Sequence, residues 1–205
     1  MTQSAVIGSG LQLDAGDHAC AFYRTPAERD EILLPFLIEG VRAGDKCVCV
    51  VDSCPPEVVL ERVVDEVGAL VREGQLEVLD SEGTYFADGG FLPDRMLSFW
   101  NDKAATCLAE GDYTFVRNIG DMTWAHKRRP GVNELATYES ELNRFMAAYP
   151  QVNLCLYDLT RCSGELALDV LKTHPKVLMG GMVLENPYFL EPDEFLAARR
   201  RKSGR

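Results

Sequence analysis

The feature that most constrains this chain is a repeated pairing of a short apolar run with a longer amphipathic stretch. Apolar runs stand at 18–23 (HACAFY), 46–51 (KCVCVV), 76–79 (LEVL), 113–119 (YTFVRNI), 152–157 (VNLCLY) and 176–184 (KVLMGGMVL). Several are apolar at consecutive positions, as strands are when both faces are covered. Parallel neighbours need crossovers of a dozen or more residues, and the helical patterns between the runs supply them. The expectation is an α/β fold, a three-layer, mostly parallel sheet with helices on both faces. With 205 residues and no internal repeat or linker, one domain is expected.

The helices carry their own punctuation. Thr25-Pro26-Ala27-Glu28 reads as a capping box with proline at the first helical position. Ile32, Leu33, Phe36, Leu37 and Val41 then form an apolar face, and Gly44 is the expected stop. Pro35 lacks a ladder donor, so a kink or register shift is expected there. Further helices are read from Pro55-Pro56-Glu57 to before Gly74, from Pro93 to Ala109, over 132–148, and from Ser163 to before His174-Pro175. The stretch 81–92 reads as the longest loop.

Charge and cysteine usage remove several function classes. The net charge is −11, so direct binding of a nucleic-acid backbone is not expected of the body of the fold. Residues 199–205 hold five of the 21 basic residues and no acid; residues 198–205 are therefore set apart as a basic tail. It reads as a helix end whose cations suit the negative terminus, with a docking arm for an acidic partner as the alternative. Seven cysteines with no C-x-x-C pair argue against a disulfide framework or a zinc knuckle, and for a reduced cytoplasmic protein. Neither an export signal nor an apolar run long enough for a membrane span is seen.

Ligands of such sheets sit beyond the carboxyl ends of the strands, so those turns hold the candidate site residues. The first turn, Arg24-Thr25-Pro26-Ala27-Glu28-Arg29, lacks the glycines, lysine and following hydroxyl of a phosphate loop, which argues against ATP hydrolysis. In the second, Asp52-Ser53-Cys54-Pro55, Cys54 stands at a helix start where a thiolate is favoured; a small packing residue is the plain alternative. After the fourth strand, Gly120-Asp121-Met122-Thr123-Trp124 offers a polar contact and a soft wall, with core packing of Trp124 equally open. His18 and Cys20 share one face of the first strand and could offer an imidazole and a thiolate, or be core residues. Tyr23, Tyr157, Asp158 and Arg161, with Glu185-Asn186-Pro187-Tyr188 after the last strand, complete the expected rim, while His126 and His174 read as structural.

Four segments together resemble a known family. HACAFYRTPAERDEILLPFLIEGVRAGDKCVCVV, the GDMTWA turn, CLYDLTRCSGELALDVLKTHP and ENPYFLEPDEFL are similar to the MEDS domain, the methanogen/methylotroph sensory domain of prokaryotic signalling proteins. The resemblance covers about residues 14–197. It implies a RecA/KaiC-like fold that has lost its phosphate-binding loop, and a sensory role toward small hydrocarbon derivatives such as methylated or halogenated one-carbon compounds. It carries no catalytic residues.

The combined expectation is a stand-alone, non-enzymatic cytoplasmic sensor without cofactor or metal. It would bind a small ligand and signal to a separate protein, a kinase or a transcription regulator, and a homo-oligomer is allowed. A thiol-based redox sensor using Cys54 or Cys20, and a degenerate ATPase-fold scaffold that binds only protein, are the alternatives.

Overall fold

A computed structural model of the chain describes residues 3–7, 10–109 and 112–203. The chain opens with β1 (Ser4–Ile7) and β2 (Leu11–Asp14), then β3 (His18–Tyr23), α1 (Pro26–Ala43), β4 (Lys46–Val51), α2 (Pro56–Val67) and β5 (Leu76–Asp80). A single-turn α3 (Ser81–Thr84) and the long α4 (Pro93–Ala109) lead to β6 (Val116–Asp121) and α5 (Leu135–Met146). The chain closes with β7 (Gln151–Asp158), α6 (Gly164–Thr173), β8 (Lys176–Met179), β9 (Met182–Glu185) and α7 (Pro192–Ser203).

Among the described residues, seven strands form the main sheet in the order β5-β4-β6-β7-β3-β8-β9. All neighbours are parallel except the β8-β9 pair. Period-two alternation divides the strand side chains between two cores. Ala19, Ala21, Cys47, Cys49 and Leu154 pack with α1, α2 and the β1-β2 hairpin. Cys20, Val48, Val50, Cys155 and Tyr157 face α4, α5 and α6. This is the expected three-layer architecture.

Local chemistry explains most boundaries. The Thr25 hydroxyl accepts from the Glu28 amide at 3.2 Å and caps α1, and Gly44 ends it with a left-handed residue. The segment stays helical across Pro35. The apolar run at 176–184 is not one strand but two. Gly180 and Gly181, both at positive φ, make the two-residue turn between β8 and β9, which folds the edge back antiparallel. The strand expected over 113–119 begins instead at Val116 and runs on to Asp121, with Phe115 in the first core.

Other differences are additions. The β1-β2 hairpin was not expected; it is tied down by buried Arg117, which donates to the Val6 carbonyl at 2.6 Å and to Asp45 at 2.7 Å. The stretch 81–92 is not a loose loop, since Tyr85, Phe86 and Phe91 are buried against the second core. The boundary drawn between 197 and 198 falls inside α7, so residues 198–203 continue a helix, and Arg205 lies outside the described residues. Arg199 reaches Asp169 at 3.3 Å.

Candidate functional site

The carboxyl edge gathers several of the expected residues. Asp121, fully buried at the end of β6, accepts from the Tyr23 hydroxyl at 3.3 Å, the Ser53 amide at 2.9 Å and the Thr123 amide at 3.1 Å. The Ser53 and Thr123 hydroxyls donate to it as well. Burial, with Asp121 beside it, pushes the Tyr23 phenol up. Asp52 accepts from Lys127 at 2.7 Å and from the Ser81 hydroxyl. Asp158 caps Thr160 and pairs with the exposed Arg161 at 3.3 Å. These groups satisfy one another, and the cavity beside Thr123, Asp158 and Arg161 is only ≈ 10 Å³, about room for one water.

Two expected residues serve differently. Trp124 is not a movable wall. It is fully buried, with ring centroids 4.8 Å from Tyr85, 4.8 Å from Phe91 and 5.2 Å from Phe86. Gly120 leaves the room for this, because a Cβ there would stand 2.7 Å from the Tyr85 hydroxyl. Cys54 is half-buried, and burial pushes its thiol up despite the opposing Arg29 charge. The lowered pKa expected at a helix start is therefore absent: α2 begins two residues later, at Pro56, and desolvation dominates.

The turn before α1 carries a carboxylate of its own chain. Glu28 folds back to accept from the Arg24 amide at 2.8 Å and the Arg24 guanidinium at 3.0 Å, and these bonds hold its carboxyl below the usual range. A phosphate at this helix start would meet a carboxylate. Next to it lies a groove of ≈ 740 Å³ lined by Ile32, Phe22, Leu159, Leu178 and Met179. Its volume suits a small ligand, and its walls are apolar apart from charged residues of the α1 turn.

His18 and Cys20 face the second core, where spacing alone gave no further partners. Folding brings Glu139 and Asn143 from α5, Cys155 and Tyr157 from β7, and His174 from the end of α6 to the same place. Cys20 is the register neighbour of Cys155. The Nε2 atoms of His18 and His174 lie 3.2 and 3.5 Å from Glu139 Oε2, and the two rings are 4.1 Å apart. Cys155 Sγ is 3.6 Å from His18 Nε2 and 3.7 Å from Glu139 Oε2. All four residues are buried.

Electrostatics follow from that crowding. Burial works against the Glu139 charge, yet the hydrogen bond with His18, the two imidazoles and the Tyr157 hydroxyl at 2.7 Å hold its carboxyl below the usual range. Burial and the neighbouring His18 drive His174 down to about 3. Burial and Glu139 push the Cys20 and Cys155 thiols up. Sequence reading missed Glu139 and Cys155 as site residues, took His174 as structural and placed Tyr157 on the rim, because only strand register and the α6 terminus unite them.

The family model described as "MEDS: MEthanogen/methylotroph, DcmR Sensory domain" matches residues 17–175. The transcriptional repressor DcmR of Methylorubrum extorquens is 29% identical over 182 residues, covering 81% of this chain and 61% of the repressor. The chain thus spans less than two thirds of the length of that relative. Among solved structures, a KaiC-like protein of Pyrococcus horikoshii aligns with TM-score 0.55 at 10% identity, over 86% of this chain and 80% of that one. The flagellar accessory protein FlaH of Methanocaldococcus jannaschii gives 0.57 at 8% identity, over 89% and 84%. An uncharacterized P. horikoshii protein in complex with an unknown peptide gives 0.60 at 13%, over 82% and 81%. At such identities these neighbours establish the fold alone. No helix among the described residues is long and apolar enough to cross a membrane.

Proposed function

The chain belongs to the MEDS family of sensory domains, and we propose that it senses a small, largely apolar molecule in the groove beside α1 and passes its occupancy to transcriptional control. The carrying observation is the pairing of that largely apolar groove with a helix start that carries the Glu28 carboxylate. The position where this class of sheet takes a phosphate is occupied by a side chain, while the adjacent surface takes hydrocarbon. The reading is of a receptor and not an enzyme, and the ligand class is that of halogenated or methylated one-carbon compounds.

The groove also has a mechanical outlet. Met179 begins the β8-β9 turn, and the chain beyond β9 is anchored to α6 by the Leu190 amide on the Lys172 carbonyl at 2.9 Å before it enters α7. Movement of the turn on ligand entry would reach α7 through this short segment. A repressor among the relatives supports transcription as the output.

An NMR titration of the labelled protein with dibromomethane tests this. Saturable shifts should concentrate on the amides of Phe22, Leu159 and Met179 and vanish in Met179→Asp. Shifts spread evenly over the surface, or saturable binding of ATP with magnesium at the α1 turn, would overturn the reading.

A further inference from the structure

We propose that His18, Glu139, Cys155 and His174 form a closed, four-coordinate site for a zinc-class divalent ion, held between β3, β7, α5 and α6. One donor atom from each residue lies within 4.8 Å of all the others. Tetrahedral zinc, with bonds of about 2.0–2.1 Å to nitrogen or oxygen and about 2.3 Å to sulfur, sets neighbouring donors about 3.3–3.6 Å apart. Four of the six donor separations are 3.2, 3.5, 3.6 and 3.7 Å, and the other two lie within 4.8 Å. Four edges of the donor set thus already stand close to those of the polyhedron.

The surrounding hydrogen bonds aim the lone pairs inward. Asn143 donates its amide to the carbonyls of Glu139, Ser140 and Thr173, at 3.0, 3.3 and 2.8 Å, which orients its Oδ1 as the acceptor for His18 Nδ1 at 3.1 Å. His174 Nδ1 donates to the Val170 carbonyl at 2.8 Å. An Nδ1 proton on each ring leaves Nε2 as the atom that would ligate the ion, in place of the His18 Nε2 contact with Glu139. His174 Nε2 is buried there without a hydrogen-bond partner. Tyr157 donates to the other oxygen of Glu139 at 2.7 Å, and the Asn153 amide donates to Cys155 Sγ at 3.4 Å. Every donor residue thus has the outer partner that metal ligands ordinarily have.

Charge balance favours the same occupant. One thiolate and one carboxylate neutralise a divalent ion, so the loaded cluster is formally neutral in an apolar core. As the metal–sulfur bond forms, the Cys155 thiol proton leaves to solvent. One sulfur, two imidazoles and one carboxylate suit zinc better than magnesium or calcium, which prefer oxygen. With four protein ligands no position is left for water, so the site is structural and joins the centre of the sheet to α5 and α6. The inference stands independently of the groove.

The test is the metal content of protein produced in zinc-supplemented medium and purified without chelator, together with X-ray absorption of the bound zinc. About one zinc per chain is expected, in a shell of one sulfur and three nitrogen or oxygen atoms. Cys155→Ser and His174→Gln should lower retention by at least about tenfold, and Cys162→Ser, at a half-exposed position outside the cluster, should leave it unchanged. Zinc absent both as purified and after refolding with equimolar zinc would overturn the proposal. So would a shell without sulfur, or full retention in both ligand variants. Should those variants fail to fold, the absorption spectrum of the parent protein decides.

Discussion

Asp121 and Glu139 are both buried carboxylates inside the same sheet fold, yet their surroundings are opposites. Asp121 is ringed by donors: two hydroxyls from serine and threonine, a phenol and backbone amides all point at it. Glu139 receives the Tyr157 phenol on one oxygen, while His18, His174 and the Cys155 thiol crowd the other. The first carboxylate is a finished structural knot; the second sits among side chains that can each act as a metal ligand. Burial of an acid therefore says little about function until donors and acceptors around it are counted.

The contrast can be broken experimentally. The largest effect is expected from Asp121→Ala, which strands several buried donors and should cost about 3–5 kcal/mol in denaturant unfolding, with or without added chelator. Stability of the parent protein should be chelator-sensitive, since a metal bound only by the folded chain adds its binding free energy to stability; equal stability with and without chelator would erase the distinction between the two carboxylates.

Acid should act next, and on the Glu139 side. His174 is depressed to about 3 in the folded chain, below the ordinary value of about 6.5. Between those values the unfolded chain binds a proton that the metal-free native chain refuses, so stability is complete above about 6.5 and falls as pH drops toward about 3. The lowered Glu139 carboxyl adds a loss of the same sign below its unfolded value. Thermal melts across this range should show a decline that is shallower in His174→Gln.

Smaller still is Tyr23→Phe, which deletes one of several donors to Asp121 and should cost about 1 kcal/mol; a loss as large as that of Asp121→Ala would mean the phenol organises the knot. The mildest probe is alkylation of the native protein. Iodoacetamide should label half-exposed Cys54, Cys107 and Cys162 and leave buried Cys20, Cys47, Cys49 and Cys155 untouched. Early labelling of Cys155 would open the cluster to solvent and argue against a closed site.

Much of the fold was legible because strands with two covered faces announce themselves. β3 and β4 run over the residues that their consecutive apolar letters mark. Thr25 and Gly44 delimit α1 through capping chemistry that is local in sequence. Tertiary features were not legible in the same way. The β8-β9 reversal hides inside one apolar run, and the four-residue strands of the first hairpin are too short to show a period.

The edge residues Tyr23, Asp52, Asp121 and Asp158 were found because the end of a parallel strand is a known address. Their mutual saturation was not, since it depends on where Ser53, Ser81, Thr123 and Lys127 reach. Glu139 and His174 carry no local signal at all. One sits among ordinary helical acids, the other before a proline, and only the pairing of β3 with β7 brings His18 to them.

The sealed turn at Glu28 bears on physiology. A receptor of this architecture that held ATP would report the energy state of the cell along with its stimulus, mixing two messages in one conformational change. Glu28 and Arg24 pair at that turn, so a nucleotide phosphate there would meet the Glu28 carboxylate. On the proposed reading the domain's state would track one chemical input, with the same response in a starved cell and a growing one.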